Sequence, residues 1–253
     1  MAANMFSSIM FHWDLALIMV FLATAVPLMG RRRIQQLMRV PQTSKAERLV
    51  LYASTTAFQW LLAAVILWRT TVDGISTRQM GLQISRPTLT GALTISLAVA
   101  ILANQLYSLR RLSISHTSES NILIQLALKV FPQDAVERLA FFAVIVTVAS
   151  CEEWIYRGFV QRMFQLWGSS IAAGIFGSAL LFAGAHLYQG RRGLVSTFCV
   201  GLIFSAARFW TGSLIPSIAA HFVADLTAGF LAPSLVRASL RKERTGTAGG
   251  GSK

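Results

Sequence analysis

The chain has 253 residues, of which 54% are hydrophobic and only 13% are charged, and its mean hydropathy is +0.57. Ordinary soluble domains carry about 25% charged residues, so this composition excludes a typical soluble protein and indicates an integral membrane protein. A net charge of +13 could indicate a nucleic-acid partner in a soluble chain. Here the basic residues collect between apolar runs, which indicates membrane orientation instead and argues against nucleic-acid binding.

A transmembrane helix needs about 20 apolar residues, and several of the apolar runs in this chain are slightly shorter than that. The seven runs cover residues 15–29, 49–68, 89–107, 136–167, 171–186, 193–210 and 214–231. Before the fourth run, Ser113–Gln133 is polar at first and then apolar only over Ile122–Leu128, which predicts an interfacial or re-entrant helix. The predicted fold class is therefore all-α, a polytopic transmembrane bundle of about seven spans.

Basic residues are distributed unequally between the two ends of these predicted spans. Lys and Arg are enriched on the cytoplasmic side of membrane proteins, which places Arg31–Arg48 inside. Seven spans then put 17 basic residues on the inner side and three on the outer side, namely Arg69, Arg78 and Arg86. The asymmetry predicts an N-terminus outside and a C-terminus inside. It supports the count of seven less strongly, because an extra pair of spans would preserve the orientation.

The chain divides into three predicted parts. Residues 1–135 would form about three spans and the interfacial helix, 136–232 a core with polar motifs, and 233–253 a basic, disordered tail. Cys151 and Cys199 lie in apolar surroundings and are predicted to be buried free thiols. No basic segment precedes the first apolar run, so we expect no cleavable signal peptide.

Ionisable residues within the later apolar runs are the strongest functional signal in the sequence. Only three residues separate Glu152 and Glu153 from the strongly apolar stretch Phe141–Val148. An acidic residue at the centre of a membrane helix costs about 2.5–3.5 kcal/mol, so such residues usually have a function. The other polar residues in or at the ends of these runs are Arg157, His186, His221 and Asp225.

Helix lengths place several of these residues at compatible depths. Glu152 lies 16 residues before the turn at 168–169, and His186 lies 17 residues after it. Each is therefore about 25 Å from the turn, and antiparallel packing would bring both to one level near the inner side. His221 and Asp225 would lie about 12 and 18 Å from the outer end of the last run, nearer the middle. The predicted site opens towards the cytoplasm.

Residue spacing adds expectations about contacts. Glu153 and Arg157 are four residues apart and face the same way on a helix, which predicts an internal ion pair. Asp225 has the same spacing from His221 and could orient its imidazole ring. Glu152 points about 100° away from Glu153, so the two carboxylates are expected to have separate roles.

Three motifs, in this order and each on an apolar helix, resemble those of the CAAX protease and bacteriocin-processing (CPBP, or Abi) family of intramembrane proteases. They are EExxxR at Glu152, Glu153 and Arg157, FxxxH at Phe182 and His186, and HxxxN/D at His221 and Asp225. The resemblance covers roughly Val136–Leu231. Aspartate at position 225 is a mild departure, because asparagine is common there.

The resemblance implies an intramembrane endopeptidase that cleaves a membrane-associated protein or peptide near the membrane surface. The family's first glutamate and FxxxH histidine are thought to activate water, which assigns Glu152 and His186 as catalytic residues. His221 and Asp225 would stabilise the tetrahedral intermediate. Supporting roles would fall to Glu153, Arg157 and Phe182. The expected location is a bacterial cytoplasmic membrane, with the active site facing the cytoplasm.

The sequence leaves the involvement of a metal open. Glu152, His186 and His221 could ligate zinc and leave a position for water. No HExxH motif is present, and the resemblance allows either a metalloprotease or a protease in which glutamate alone activates water.

Two other functions and one other protease class compete with this interpretation. The first is a non-catalytic membrane scaffold or immunity factor that retains the protease fold. The second is a proton-coupled transporter with Glu152, His186 and His221 as a relay, which is disfavoured because no inverted repeat is evident. The third, a rhomboid-like serine protease, lacks a GxSxG-type serine.

Overall fold

The computed structural model describes residues 13–112, 126 and 129–230, and within these residues the regular structure is helical apart from one bridge between Leu82 and Ser213. The α-helices are α1 (Trp13–Arg39), α2 (Lys45–Val72), α3 (Pro87–Leu112), α4 (Ala135–Glu153), α5 (Gln161–Trp167), α6 (Ile171–Ala185), α7 (Gly190–Thr211) and α8 (Ile215–Phe230). A π-helical segment (Trp154–Val160) joins α4 to α5, and a 3₁₀ turn (Leu187–Gln189) precedes α7.

Five helical units are long and apolar enough to cross a membrane: α1, α2, α3, the continuous unit Ala135–Trp167, and Leu187–Thr211. Helices α6 and α8 are apolar but shorter, with 15 and 16 residues. The predicted all-α polytopic bundle of about seven spans is thereby confirmed. Most of the predicted interfacial helix within 113–133, and the whole predicted tail 233–253, lie outside the described residues.

Short polar side chains set several helix boundaries. Ser44 and Glu47 form a reciprocal capping box at the start of α2, which satisfies two backbone amides. Asp134 accepts a hydrogen bond from the Glu137 amide at 2.9 Å and so begins α4. Gly212 has a φ of +70°, the left-handed conformation that ends α7 and lets the chain reverse into α8.

The continuous unit from α4 through α5 is the centre of the bundle. All seven residues of its π-helical segment are buried. Helix α2 packs along α4, α6 packs against α5 and the π-helical segment, and α8 packs against both α3 and α4. The largest buried cluster joins Leu22 of α1 and Ile66 of α2 to Ile155 and Phe159. The first two helices therefore share a core with the segment that carries the motifs.

At the predicted outer end, the connection between α2 and α3 packs against the end of α7. Arg86 Nη1 donates a hydrogen bond to the Trp210 carbonyl at 2.8 Å, and the Arg208 guanidinium donates to the Gln79 carbonyl. Met80, between these contacts, is fully buried. The connection thus closes this end of the bundle.

At the opposite end, two ion pairs connect the start of α2 to the start of α4. Arg48 binds Glu137 through two hydrogen bonds of 2.8 and 3.1 Å, and both side chains are buried. Lys45 lies 2.6 Å from Asp134 in an exposed pair. The Lys45 hydrogen bond, together with the Glu137 amide, holds the pKa of the Asp134 carboxyl below its usual value. A buried bidentate arginine–carboxylate pair also fixes orientation, so it sets the register of α2 along α4.

Candidate active site

A cavity of about 590 Å³ opens between α1, α2, the π-helical segment and the end of α6. Glu152 and His186 both line this cavity, although they belong to different helices. The other polar side chains in its wall are Arg32, Arg33, Gln36, Ser54, Gln59 and Tyr156. Much of the remaining lining is aliphatic. The structure therefore brings an acid and an imidazole into one chamber with a basic rim contributed by α1.

Glu152 is held by a residue that precedes it by 93 positions. Gln59 Nε2 of α2 donates a hydrogen bond to Glu152 Oε1 at 2.9 Å. The next residue, Trp60, donates to Thr147 Oγ1 at 3.1 Å and fixes α2 against α4 at the same level. Within the described part of the chain, Glu152 Oε2 is buried without a hydrogen-bond partner. One carboxylate oxygen is therefore engaged by an amide and the other is available for a further partner.

His186 lies at the C-terminal end of α6, where its ring is held by the helix backbone. Its Nδ1 lies 2.8 Å from the Phe182 carbonyl oxygen. A carbonyl only accepts hydrogen bonds, so Nδ1 must carry a hydrogen. In the neutral ring, Nε2 is then the nitrogen with a free lone pair. When neutral, the His186 side chain in the cavity wall is therefore the Nδ1–H tautomer, and its basic atom is Nε2.

Behind the cavity, Glu153 connects two cationic or protonatable groups in a buried network. Glu153 Oε1 accepts a hydrogen bond from Arg157 Nη1 at 2.8 Å, and both side chains are fully buried. The ion pair expected from the four-residue spacing is therefore present. The same oxygen lies 2.9 Å from His221 Nδ1. Glu153 thereby ties the π-helical segment to α8.

Asp225 is placed differently from the expectation that it orients His221. Its Oδ2 lies 3.6 Å from His221 Nε2, beyond a normal hydrogen bond. The carboxylate at hydrogen-bonding distance from the imidazole is that of Glu153, bound to the other ring nitrogen. Asp225 occupies the next turn of α8, beside the ring rather than bonded to it. Glu153 therefore sets the orientation of His221.

Phe182 lies between the cavity and the buried network. Its ring centroid is 4.7 Å from that of His186 and 6.0 Å from that of His221. The Arg157 guanidinium carbon lies 4.0 Å from the same ring centroid, a cation–π distance. Phe182 thus contacts members of all three motifs, and its ring lies near both His186 and His221.

The three motifs lie together in one part of the bundle, and the segment that contains them matches a known protein family. Residues 135–227 match the family model for Type II CAAX prenyl endopeptidase Rce1-like proteins. The matched segment covers less than half of the chain and contains every motif residue from Glu152 to Asp225. The resemblance to the CPBP family is confirmed over this segment. No curated protein and no solved structure matches the chain significantly.

Within the CAAX-protease-like segment, the proposed zinc ligands do not assemble. Among the described residues, no group of three or more His, Cys, Asp and Glu side chains is arranged to hold a metal ion. His221 Nδ1 faces Glu153, and His221 is not among the residues that line the cavity with Glu152 and His186. The set of Glu152, His186 and His221 therefore does not fit a zinc site, and the metalloprotease interpretation gains no support.

Most of the residues that line the cavity come from outside the matched segment 135–227, and the sequence did not predict Arg32, Arg33 and Gln59 as cavity residues. Arg32 and Arg33 were counted only as inner-side charges, and Gln59 was treated as part of an apolar run. A polar amide among apolar residues of a predicted span was the available signal for Gln59. Pairing it with Glu152 required the packing of α2 on α4.

Proposed function

We propose that this integral membrane protein is an endopeptidase that hydrolyses a peptide bond of a membrane-associated protein or peptide. The observation that carries the proposal is the cavity that Glu152 and His186 share, in which Glu152 Oε2 has no hydrogen-bond partner among the described residues. The Rce1-like family match supports a protease-type hydrolase.

In this mechanism, a water molecule enters the cavity between Glu152 and His186. One of the two groups removes a proton from the water while the water oxygen attacks the peptide carbonyl carbon. The tetrahedral intermediate then collapses, the carbon–nitrogen bond breaks, and the captured proton passes to the leaving amine. Glu152 Oε2 and His186 Nε2 are the atoms to which we assign proton transfer.

His221 and Asp225 are assigned to the oxyanion of the intermediate. Glu153 accepts from His221 Nδ1, so Nε2 can donate to a substrate oxygen or to Asp225 only when His221 is the imidazolium. The role requires the substrate carbonyl to approach the Phe182 ring, which contacts both His186 and His221. A preorganised donor at this point would stabilise the charge that develops during attack.

The basic rim supports a cytoplasmic location for the entrance. Arg32 and Arg33 line the cavity at the end of α1 that the distribution of basic residues places inside. We therefore propose that the substrate enters from the cytoplasmic side of a bacterial cytoplasmic membrane.

The experiment compares membrane-fraction peptidomes from cells that contain the wild type or the Glu152→Gln variant at matched abundance. Cleavage products that disappear only with Glu152→Gln would support the protease and identify its substrate. Glu47→Gln is the matched control, because glutamine can keep a capping-box hydrogen bond at this exposed helix start. Identical peptidomes for wild type and Glu152→Gln, with any cellular phenotype retained, would contradict the protease and favour the non-catalytic scaffold.

A further inference from the structure

Glu152 and Glu153 are adjacent, yet their partners belong to different chemical classes. Glu153 accepts from a guanidinium and faces an imidazole. Glu152 accepts from a neutral amide, that of Gln59. The two carboxylates therefore differ in the charge of their hydrogen-bond partners, and Glu152 is the one that lines the cavity.

Gln59 is well placed to fix Glu152 because its own helix is anchored on both sides. Towards the outer end, Trp60 donates to Thr147 of α4 at 3.1 Å. Two turns towards the inner end, the Tyr52 ring packs 5.3 Å from that of Phe141, also on α4. These contacts hold α2 along α4, so the amide of Gln59 approaches the carboxylate from a fixed direction.

The geometry also specifies which oxygen of Glu152 remains for chemistry. An ionised carboxylate only accepts hydrogen bonds, so the amide nitrogen of Gln59, not its oxygen, must face Oε1. Oε2 is buried without a partner among the described residues, and a buried polar atom of this kind calls for a water or a substrate group. By holding Oε1, Gln59 fixes the position of Oε2, the oxygen without a partner.

We propose that Gln59 is a positioning residue for the proteolytic site: its amide engages Glu152 Oε1, so that Oε2 is the oxygen presented to the attacking water. This inference rests on the proposed function, and it assigns a role in the site to α2, which lies outside the CAAX-protease-like segment. The amide does not ionise at neutral pH, so it orients Glu152 without taking part in proton transfer.

The first test measures the hydrogen bond itself, without any substrate. Infrared difference spectra of the full-length protein in nanodiscs identify the Glu152 carboxylate band as the one lost in Glu152→Gln. Gln59→Met removes the donor and keeps the side-chain length, so the Glu152 band should shift. Gln35→Met is the matched control on the exposed face of α1 and should leave the band in place. An unshifted band in Gln59→Met would overturn the proposal.

A second variant, Gln59→Glu, tests the same contact in case Gln59→Met does not fold. Gln59→Glu places two carboxylates where 2.9 Å now separates an amide from a carboxylate. Two carboxylates in such contact retain one proton between them. A protonated carboxyl band should therefore appear at neutral pH in Gln59→Glu and not in Gln35→Glu. Its absence from a folded Gln59→Glu protein would also overturn the proposal.

The third measurement uses the peptide that the peptidome comparison identifies as a cleavage substrate. A hydrogen bond to a charged group corresponds to roughly a 10- to 100-fold effect, so Gln59→Met should lower kcat by that factor. KM should change less than kcat, because the contact acts on Glu152 and not on peptide binding. Unchanged kcat would refute the positioning role. Activity that survives Glu152→Gln would instead refute the proposed function, while the infrared result would still stand.

Discussion

Glu152 and Glu153 are neighbours in the sequence but lie in different surroundings: one lines the cavity and the other belongs to a buried ion-pair network. Glu153 is fully buried, and its Oε1 contacts both Arg157 Nη1 and His221 Nδ1. Glu152 lies at the cavity wall with one oxygen unengaged. The rotation of about 100° between successive helical side chains is sufficient to send the two carboxylates into these different surroundings.

Because Glu153 depends on its cation, loss of Arg157 should destabilise the fold. Arg157→Leu leaves a buried carboxylate without its guanidinium, a change that typically costs about 3–5 kcal/mol. Thermal unfolding of the purified protein in nanodiscs should show a markedly lower midpoint. Arg138→Leu, at an exposed position of α4, is the control and should leave the midpoint nearly unchanged. Equal midpoints for the two variants would show that the buried pair contributes little to stability.

At the scale of elements, the π-helical segment lets α4 continue into α5 while passing close to the α2–α3 connection. Gly158 makes this approach possible: a Cβ atom at this position would lie 3.1 Å from the Met80 carbonyl oxygen. Short π-helical turns inside α-helices are frequently found at functional sites, and this one carries Arg157 between Phe182 and Glu153.

We expect Gly158→Ala to be destabilising, since either the Met80 carbonyl or the π-helical segment must move. Overpacking of this kind typically costs about 1–3 kcal/mol. Gly91→Ala is the matched control in α3, where an added Cβ meets no atom within 4 Å. Alanine is the better helix former, so Gly91→Ala should stabilise by up to about 1 kcal/mol. Opposite signs in thermal unfolding are the expected result; a stabilising Gly158→Ala would contradict the close-approach argument.

Features that depend on local sequence could be predicted, whereas features that depend on contacts between distant parts of the chain could not. Apolar length predicted the continuous span at 136–167, and four-residue spacing predicted the Glu153–Arg157 pair, since both are local properties. The π-helical segment was not predicted: it is almost uniformly apolar apart from Arg157, so periodicity carries no sign of its wider turn. Gln59 was not predicted because its contact with Glu152 spans 93 residues. Spacing predicted that Asp225 lies near His221, where the two side chains are 3.6 Å apart, but it did not predict the contact between His221 and Glu153 of another helix.

On the scale of the whole molecule, ion pairs between helix ends connect the helices at both ends of the bundle. Arg48–Glu137 and Lys45–Asp134 connect α2 to α4 at one end. At the other end, Arg69 pairs with Asp14 and Asp73. Polar networks at both ends and apolar surfaces between them suit a protein whose central belt contacts lipid and whose ends contact water.

The predicted orientation places the α1–α2 turn inside the cell and the α2–α3 connection outside. It can be checked with single cysteines in a Cys151→Ala, Cys199→Ala background. Gln42→Cys should react with a membrane-impermeant maleimide only after the cells are opened, and Thr77→Cys should react in intact cells. The reverse labelling pattern would invert the topology and move the entrance of the cavity to the outer side.

The cavity wall contributed by α1 and α2 has an evolutionary consequence. The groups assigned to bond cleavage are encoded in 135–227, whereas much of the chamber's opposite wall is encoded nearly a hundred residues earlier. Substitutions at wall positions such as Leu22, Val26 or Arg32 can alter which peptide enters, without touching the buried Glu153–Arg157–His221 network. If the protein is the protease proposed above, the residues that select the peptide and those that hydrolyse it would be encoded in separate stretches of one gene.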